Sequence, residues 1–234
     1  MKIYSHRGES LLAKENTLKA FYLADILKSD GIECDIRKTN DNELVIIHDM
    51  SINRTSNGFG FVKNIDYNDL LKFNFGEKNN FEKIITLDEF LNIFSKKNLS
   101  LFIEVKESGY EENIINVLKK YNLNNITLIS FSYKVISNIR NISKNIKVGW
   151  IIFDYNKKIN NKAKEINIDN LIIPSLFITK ERVNLIKQNG FRVSVWAITN
   201  ITEVKKLKEI GVDNIIYDSA YKAKKYLGEL WLLY

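Results

Sequence analysis

The chain has 234 residues, of which 45% are hydrophobic and 27% charged, a balance that suits one large globular domain and excludes a disordered or fibrous chain. Its single cysteine, Cys34, excludes an internal disulfide, and no apolar run approaches the ~20 residues of a membrane-spanning helix. The net charge of +7 comes from scattered lysines rather than a dense basic run with interleaved aromatics, which disfavours nucleic-acid binding.

The two ends of the chain suggest where the protein acts. An apolar strand pattern starts directly after Met1 and Lys2, so there is no room for the apolar segment of a signal peptide. We therefore expect a cytoplasmic protein without stable membrane insertion. The apolar tail, residues 230–234, is interpreted as the last turn of a packed helix. The oligomeric state is left open by the sequence.

Short apolar runs alternate with amphipathic stretches along the chain. The runs rich in Ile, Val and Phe predict buried parallel strands at residues 3–6, 32–36, 99–105, 127–131, 148–153, 171–174, 193–198 and 214–217. Helical periodicity is found at residues 17–28, 87–97, 112–121, 135–143, 181–189 and 202–210, and more weakly at 162–166. Eight strand–helix repeats predict an α/β fold, either a (β/α)8 TIM barrel or a doubly wound sheet.

One segment interrupts this alternation. After an additional strand-like run at residues 43–48, the stretch at about 49–86 is rich in Gly, Asn and Phe and has only short patterns. We interpret it as a small insertion, after the second strand region, above one end of the barrel. No Gly/Ser-rich linker divides the chain, so residues 1–234 are predicted to form a single domain.

The two histidines of the chain, His6 and His48, both lie where a strand pattern ends, each beside a charged residue. A histidine taken at random is more often a surface or packed residue. Chemistry in a (β/α)8 barrel, however, is located at the carboxyl ends of the strands. Finding both histidines at such positions favours a functional role.

Acidic residues interrupt two of the apolar strands. Glu33 and Asp35 are two residues apart and so leave the same face of the second strand, and Glu104 and Lys106 repeat the spacing on the next barrel strand. Buried carboxylates repel one another, and a metal ion, a shared proton or salt bridges would each relieve this. Oxygen ligands without thiolates favour Mg²⁺ or Ca²⁺. The alternative is two ion pairs, Glu33–Arg37 and Glu104–Lys106.

Two further residues have two interpretations each. Glu15-Asn16-Thr17 opens the first helix, where capping by Asn16 or Thr17 and a role of Glu15 beside substrate or metal are about equally supported. Trp196, near the end of the seventh strand, is either part of the barrel core or a wall of the pocket, and its position favours the pocket.

The order of these motifs resembles the glycerophosphodiester phosphodiesterase family from the first strand to the last. Lys14 stands where that family usually has proline, and Tyr217, Asp218 and Ala220 stand where its last strand usually ends Thr-Asp-x-x-Pro or similar. The matching pieces are His6-Arg7-Gly8, Glu15-Asn16-Thr17, Glu33-x-Asp35, His48-Asp49, Arg54-Thr55 with Gly58, Thr86-Leu87-x-Glu89, Glu104-x-Lys106, Val195-Trp196 and Gly211-Val212-Asp213 leading to Asp218.

The resemblance implies a (β/α)8 barrel that hydrolyses small glycerophosphodiesters to sn-glycerol 3-phosphate and an alcohol. It implies one divalent metal ion, Mg²⁺ or Ca²⁺, and an insertion that caps the pocket. The implied residues are Glu33, Asp35 and Glu104 as metal ligands, His6 and His48 as the acid/base pair, and Arg7 and Lys106 as phosphate contacts.

Two other functions compete with this one. A lysophospholipase D-like enzyme would admit an acyl-bearing diester to the same site, although an insertion after His48 would restrict the mouth to small head groups. A barrel that only binds metal or phosphate would have no need for both histidines.

Overall fold

The computed structural model describes residues 1–196 and 198–230 and contains nine strands in one sheet. Eight of them are parallel, and the pairing of β1 with both β2 and β9 closes them into a barrel. The fold is thus the (β/α)8 barrel rather than the doubly wound sheet. The strands are β1 Lys2–His6, β2 Gly31–Lys38, β3 Leu44–Ile46, β4 Ser100–Val105, β5 Ile126–Ser130, β6 Lys147–Ile151, β7 Asn170–Pro174, β8 Arg192–Trp196 and β9 Asn214–Tyr217.

Helices cover the outside of the barrel, and the predicted helical segments are confirmed. Two helices were not predicted: α2, which is a single turn within the insertion, and α9, which packs against β1 and β9. The helices are α1 Leu18–Ile26, α2 Tyr67–Leu70, α3 Leu87–Phe94, α4 Glu111–Leu118, α5 Tyr133–Ile142, α6 Lys157–Glu165, α7 Lys180–Gln188, α8 Thr202–Glu209 and α9 Ala220–Tyr226.

Alternation along the strands divides the apolar residues into two cores. Residues such as Ile32, Cys34 and Ile36 point outward and pack with the helices in the main core. A smaller cluster fills the barrel interior and forms the floor of the mouth. Its buried members are Tyr4, Phe102, Ile129, Ile151, Ile172 and Ile216.

The extra strand β3 runs antiparallel to β2 along its last three residues. It can do so because β1 pairs with β2 only as far as His6 opposite Glu33, which leaves the upper edge of β2 open. From there β3 leads the chain back toward the barrel, where the backbone N–H of Ile47 donates to the carbonyl of Asp35 at 2.9 Å. This return brings His48 close to the end of the barrel.

The insertion has a small hydrophobic cluster of its own, which includes Ile52, Val62, Leu70 and Phe75. Its hydrogen bonds to the rest of the chain join it to α1, the β1–α1 loop, the β2–β3 hairpin and α3. It therefore lies over the β1–β2 side of the barrel mouth.

Within the described residues, no helix is both long enough and apolar enough to cross a membrane. Residues 231–234, to which most of the apolar tail belongs, lie outside the described part of the chain, so the helical interpretation of that tail stays a prediction.

Candidate active site

The carboxyl ends of the strands carry the predicted polar residues. On β1, β2 and β4 the inward-facing rows continue from the apolar floor to His6, to Glu33 and Asp35, and to Glu104. Each acidic residue is buried because it occupies an interior position of a strand whose other face packs against helices. On this side of the barrel, the interior is therefore apolar and the mouth is charged.

Three carboxylates converge there. One oxygen each from Glu33, Asp35 and Glu104 lies within 4.8 Å of the others, and all three residues are buried. The strand register explains the approach, since Asp35 is directly opposite Glu104 in the β2–β4 pairing. The sequence-predicted ligand set is therefore brought together in space.

The electrostatics of this cluster fit a cation. Burial, together with the charge of Asp35, raises the pKa of Glu33 to about 8, and burial and Asp35 also raise the pKa of Glu104. Burial acts in the same direction on Asp35, but Lys106 and Arg7 outweigh it and lower the pKa of that carboxyl group. An all-oxygen donor set whose members repel one another when ionised suits a hard divalent ion such as Mg²⁺ or Ca²⁺.

Two cationic side chains approach the cluster. Lys106 Nζ lies 2.7 Å from Glu104 Oε1 and 3.2 Å from Asp35 Oδ1. Arg7 Nε lies 3.3 Å from Asp35 Oδ2 and makes no hydrogen bond within residues 1–196 and 198–230. The backbone N–H of Arg7 donates to Glu33 at 3.1 Å. Both predicted phosphate contacts therefore face the predicted metal ligands.

The alternative of two simple ion pairs is only half realised. Lys106 does pair with Glu104, as the less favoured of the two interpretations predicts. It also contacts Asp35. Arg37 does not pair with Glu33; its guanidinium donates to Glu107 and to the carbonyl of His48. Glu33 is left facing His6, whose Nε2 is 3.9 Å from its carboxylate.

Each histidine is hydrogen-bonded to an aspartate. Nδ1 of His6 is 2.7 Å from Asp218 Oδ1, and Nδ1 of His48 is 2.7 Å from Asp49 Oδ1. Because a carboxylate accepts, Nδ1 donates in both pairs, which leaves Nε2 of each ring to face other groups. This arrangement fixes the orientation of both rings.

The surroundings of the histidines differ. Burial disfavours the charged form of His6, but the Asp218 hydrogen bond and the Glu33 charge outweigh it, so the pKa of His6 is raised. Burial likewise disfavours the charged form of His48, where the attraction of Asp35 and Asp49 does not compensate, and the pKa of His48 is lowered.

Glu15 connects the insertion to the mouth. Its carboxylate accepts from Arg7 Nη1 at 2.9 Å and from both terminal nitrogens of Arg54 at 2.7 and 2.8 Å, and Arg54 in turn binds Asp49. Thr17, one of the two predicted candidates for the N-cap, fills that position, and its hydroxyl accepts from the N–H of Ala20. Glu15 thus supports Arg7 directly and is connected to His48 through Arg54 and Asp49.

Three supporting residues were not singled out from the sequence. Asp218 and Asn16 were noted as parts of motifs without a role beside the site, yet Asn16 donates to Asp35 at 2.9 Å. Glu9 is fully buried and accepts from the hydroxyls of Ser5 and Ser219, so it ties the β1–α1 loop to the start of α9. The His6–Asp218 and Glu9–Ser219 pairs each join residues over 200 positions apart, a separation at which sequence offers no signal.

Trp196 continues the inward-facing row of β8 and packs against the interior cluster as a half-buried residue. Its indole Nε1 is buried without a hydrogen-bond partner among the described residues. The side chain therefore combines both sequence-based interpretations, since it covers the barrel core and borders the mouth.

Comparisons with known proteins find relatives that cover nearly the whole chain. Residues 6–222 match the profile of the Glycerophosphoryl diester phosphodiesterase family. A glycerophosphodiester phosphodiesterase of Caldanaerobacter subterraneus subsp. tengcongensis is 32% identical, with 92% of this chain and 93% of the relative covered. A glycerophosphodiester phosphodiesterase of Bacillus altitudinis is 28% identical over 98% of this chain and 99% of its own.

Solved structures give the same result for the fold. An Oleispira antarctica phosphodiesterase in complex with the product sn-glycerol-3-phosphate superposes with a TM-score of 0.91 at 25% identity, covering 97% of both chains. A glycerophosphodiester phosphodiesterase from Thermotoga maritima superposes with a TM-score of 0.82 at 23% identity, covering 96% of this chain and 97% of the other.

Proposed function

This chain belongs to the glycerophosphoryl diester phosphodiesterase family, and on that premise we propose that it hydrolyses glycerophosphodiesters to sn-glycerol 3-phosphate and an alcohol by means of a divalent metal ion and a histidine pair. It is an enzyme of the phosphoric diester hydrolase class, so a barrel that only binds its ligand is not the appropriate description. The product bound to the Oleispira antarctica structure supports a small-molecule substrate.

The observation that carries the proposal is the convergence of Glu33, Asp35 and Glu104 beside two aspartate-bound histidines. The three carboxylates would hold Mg²⁺ or Ca²⁺. When bound, such an ion supplies positive charge that stabilises the charge developing on phosphate oxygens.

The cationic side chains perform a related task. A phosphodiester resists attack because its anionic oxygens repel a nucleophile, and Arg7 and Lys106 would offset that charge from the edge of the carboxylate cluster. Glu15 orients Arg7 by a 2.9 Å hydrogen bond, so that its guanidinium is positioned before substrate arrives. Trp196 would border the substrate.

The histidines would move the protons. Hydrolysis requires that the attacking oxygen lose a proton and that the leaving alcohol gain one. His6 and His48 approach the mouth from different strands, and Nε2 of each is the nitrogen not bonded to an aspartate. We assign the two tasks to the pair without assigning base and acid individually, and the nucleophile is either water or the glycerol 2-hydroxyl.

We further propose that the enzyme acts in the cytoplasm on diesters that have been imported or released by lipid turnover. Detection of the native protein only in culture supernatant would contradict it.

The metal is tested by turnover and binding together. Glycerophosphocholine hydrolysis should cease in EDTA and return with Mg²⁺ or Ca²⁺. Glu33→Gln should lose metal affinity in a calorimetric titration together with activity, because it removes one of the three converging carboxylates. Glu107→Gln, which changes a carboxylate outside that cluster, is the matched control and should retain metal affinity. Full activity of Glu33→Gln in EDTA would refute the metal site.

A further inference from the structure

The amino-terminal end of the barrel, opposite the candidate active site, opens into a cavity of about 1130 Å³. The first inward-facing residues of seven of the eight barrel strands line this cavity, and the buried rings of Tyr4 and Phe102 close its inner end. These two rings belong to the interior cluster that forms the floor of the mouth, so the cluster separates the cavity from the predicted catalytic residues. The volume is sufficient for a small-molecule ligand.

The inward-facing residues of the cavity carry positive charge only. Three of the seven, Lys2, Lys147 and Arg192, are cationic, and none is acidic. Lys2 Nζ donates to the hydroxyl of Ser100 at 2.9 Å, and Lys147 Nζ donates to the carbonyl of Asn124. Within the part of the chain that the structure describes, the guanidinium of Arg192 has neither a hydrogen bond nor an ion pair. No carboxylate found there therefore neutralises these three charges.

The acidic residues at the rim of the cavity do not change this balance. Three aspartates line the rim, and each is paired with a cation: Asp25 with Lys97 at 3.0 Å, Asp30 with Lys224 at 2.6 Å and Asp169 with Arg140 at 2.8 Å. A concave surface lined by charges of one sign attracts ligands of the opposite sign. The cavity is therefore suited to an anion.

Asn170, in the wall of the cavity, has an unsatisfied polar atom. Its Nδ2 donates to Ser194 Oγ at 2.7 Å, and Nδ2 of Asn214 donates to the same hydroxyl at 2.8 Å. Asn170 is only 3% exposed, and its Oδ1 has no partner among residues 1–196 and 198–230. A buried acceptor without a partner costs about 1–3 kcal/mol. A hydroxyl group can satisfy it, whereas a phosphate dianion, which only accepts, cannot.

We propose that this cavity is a second binding site, for a small phosphate monoester that carries hydroxyl groups, such as a sugar phosphate. The phosphate group binds Lys2, Lys147 and Arg192 through charge-assisted hydrogen bonds. A hydroxyl group of the same ligand donates to Oδ1 of Asn170. The inference goes beyond the proposed function, because the site lies at the other end of the barrel and requires no hydrolysis.

A purely stabilising role is the competing explanation, since this end of a (β/α)8 barrel usually serves stability. Two features favour a ligand. Like charges repel one another, so three cations without carboxylate partners at one opening oppose folding rather than support it. The unsatisfied amide oxygen of Asn170 also opposes folding. A hydroxylated phosphate ester would relieve both.

The test is a calorimetric titration of the metal-loaded enzyme with ribose 5-phosphate, inorganic phosphate and ribose. Ribose 5-phosphate should bind more tightly than inorganic phosphate, because only the ester offers both the charge and the hydroxyl groups. Ribose alone should give no measurable binding at the same concentrations, because it lacks the charge.

Variants locate the site. Arg192→Gln and Lys147→Gln should each weaken ribose 5-phosphate binding by about tenfold or more, the effect of losing a charge-assisted hydrogen bond. Lys205→Gln is the matched control, because it removes the same charge from an exposed lysine on α8 outside the cavity, and it should bind as the wild type does. All three variants should hydrolyse glycerophosphocholine at the wild-type rate. Asn170→Ala should weaken the binding of ribose 5-phosphate but not that of inorganic phosphate.

Three results would overturn the inference. The first is no binding of ribose 5-phosphate at millimolar concentrations. The second is binding that is lost in Arg7→Gln but retained in Arg192→Gln, which would assign the ligand to the active site. The third is equal affinity for ribose 5-phosphate and inorganic phosphate, which would exclude a hydroxylated ligand. If thermal unfolding shows that Asn170→Ala does not fold, the variants at the exposed Arg192 and Lys147 still decide. Glycerophosphocholine turnover tests the proposed function separately, so either proposal can fail alone.

Discussion

At the scale of single residues, the site depends on groups that are held by hydrogen bonds to other side chains. His6 and His48 are each fixed through Nδ1 by an aspartate, and Arg7 by Glu15. A side chain held in this way is already oriented, so its conformational entropy does not have to be lost when the reaction begins. Predictions at this scale therefore concern both the reacting groups and their supports.

Removal of either histidine should lower turnover. We expect His6→Ala and His48→Ala each to reduce kcat by at least about a hundredfold, the effect of losing a general acid or base. Metal affinity should survive in both, since neither is a proposed ligand. A substrate with an activated leaving group requires little protonation, so it should partly rescue the variant that lacks the acid. Near-normal turnover of glycerophosphocholine by either variant would refute the two-histidine mechanism.

Asp218 should act on the reaction through His6. Asp218→Asn keeps the size of the side chain but removes the charge that raises the pKa of His6, so the ionisation assigned to that histidine should move to lower pH in the kcat profile. We also expect kcat to fall by about tenfold or more, as happens when a histidine loses an orienting carboxylate. A purely structural role would lower stability without moving the pH profile.

At the scale of structural elements, the β1–α1 loop carries much of the site and is tightly constrained. It contains Arg7 and Asn16 with positive φ, and Gly8 with φ +81. A Cβ at Gly8 would lie 2.7 Å from the backbone carbon of Ala20 in α1. The loop therefore reaches its conformation by a close approach that only glycine permits.

Two glycine substitutions separate this contact from backbone strain. Gly211→Ala, at φ +84 with no atom within 4 Å of the added Cβ, should cost only the ~1–2 kcal/mol of a left-handed residue. Gly8→Ala has a similar φ but also collides with α1, so it should cost roughly 1–3 kcal/mol more. Urea unfolding measures both, and equal losses would contradict the close-approach argument.

At the scale of the whole molecule, the candidate site lies where a buried acidic cluster adjoins the apolar interior of the barrel. Burial of Glu33, Asp35 and Glu104 opposes folding whenever the carboxylates are ionised without compensation. A bound cation would instead stabilise the folded state, because it binds the folded site and not the unfolded chain.

The stability of the metal-free protein should therefore depend on pH. The pKa of Glu33 is raised to about 8 in the folded state from an ordinary 4.5, so the folded state holds a proton that the unfolded chain releases. Stability should then decrease as pH rises through this window, with His6 contributing in the same direction and His48 in the opposite one. Thermal unfolding in EDTA between pH 5 and 8 measures the trend. Saturating Mg²⁺ or Ca²⁺ should reduce it, and a metal-free Tm that is constant or rises would contradict the prediction.

The strand–helix repeats, the interruption after the second strand and the candidate ligands could be predicted from the sequence, because period-two alternation and buried acids at strand ends are local signals. The single-domain assignment and the role of each site residue stay predictions. Periodicity could not choose between a closed barrel and an open sheet. That choice depends on whether β1 pairs with β9, and the first paired residues, Lys2 and Asn214, are 212 residues apart in the sequence.

Which side chains support one another could be seen only in the folded chain. The aspartate that holds His6 comes from the far end of the chain, and the Arg54 that links Asp49 to Glu15 comes from the insertion. Contacts of this kind depend on barrel closure and register. Composition and periodicity describe each strand alone, whereas closure places residues from distant strands within hydrogen-bond distance.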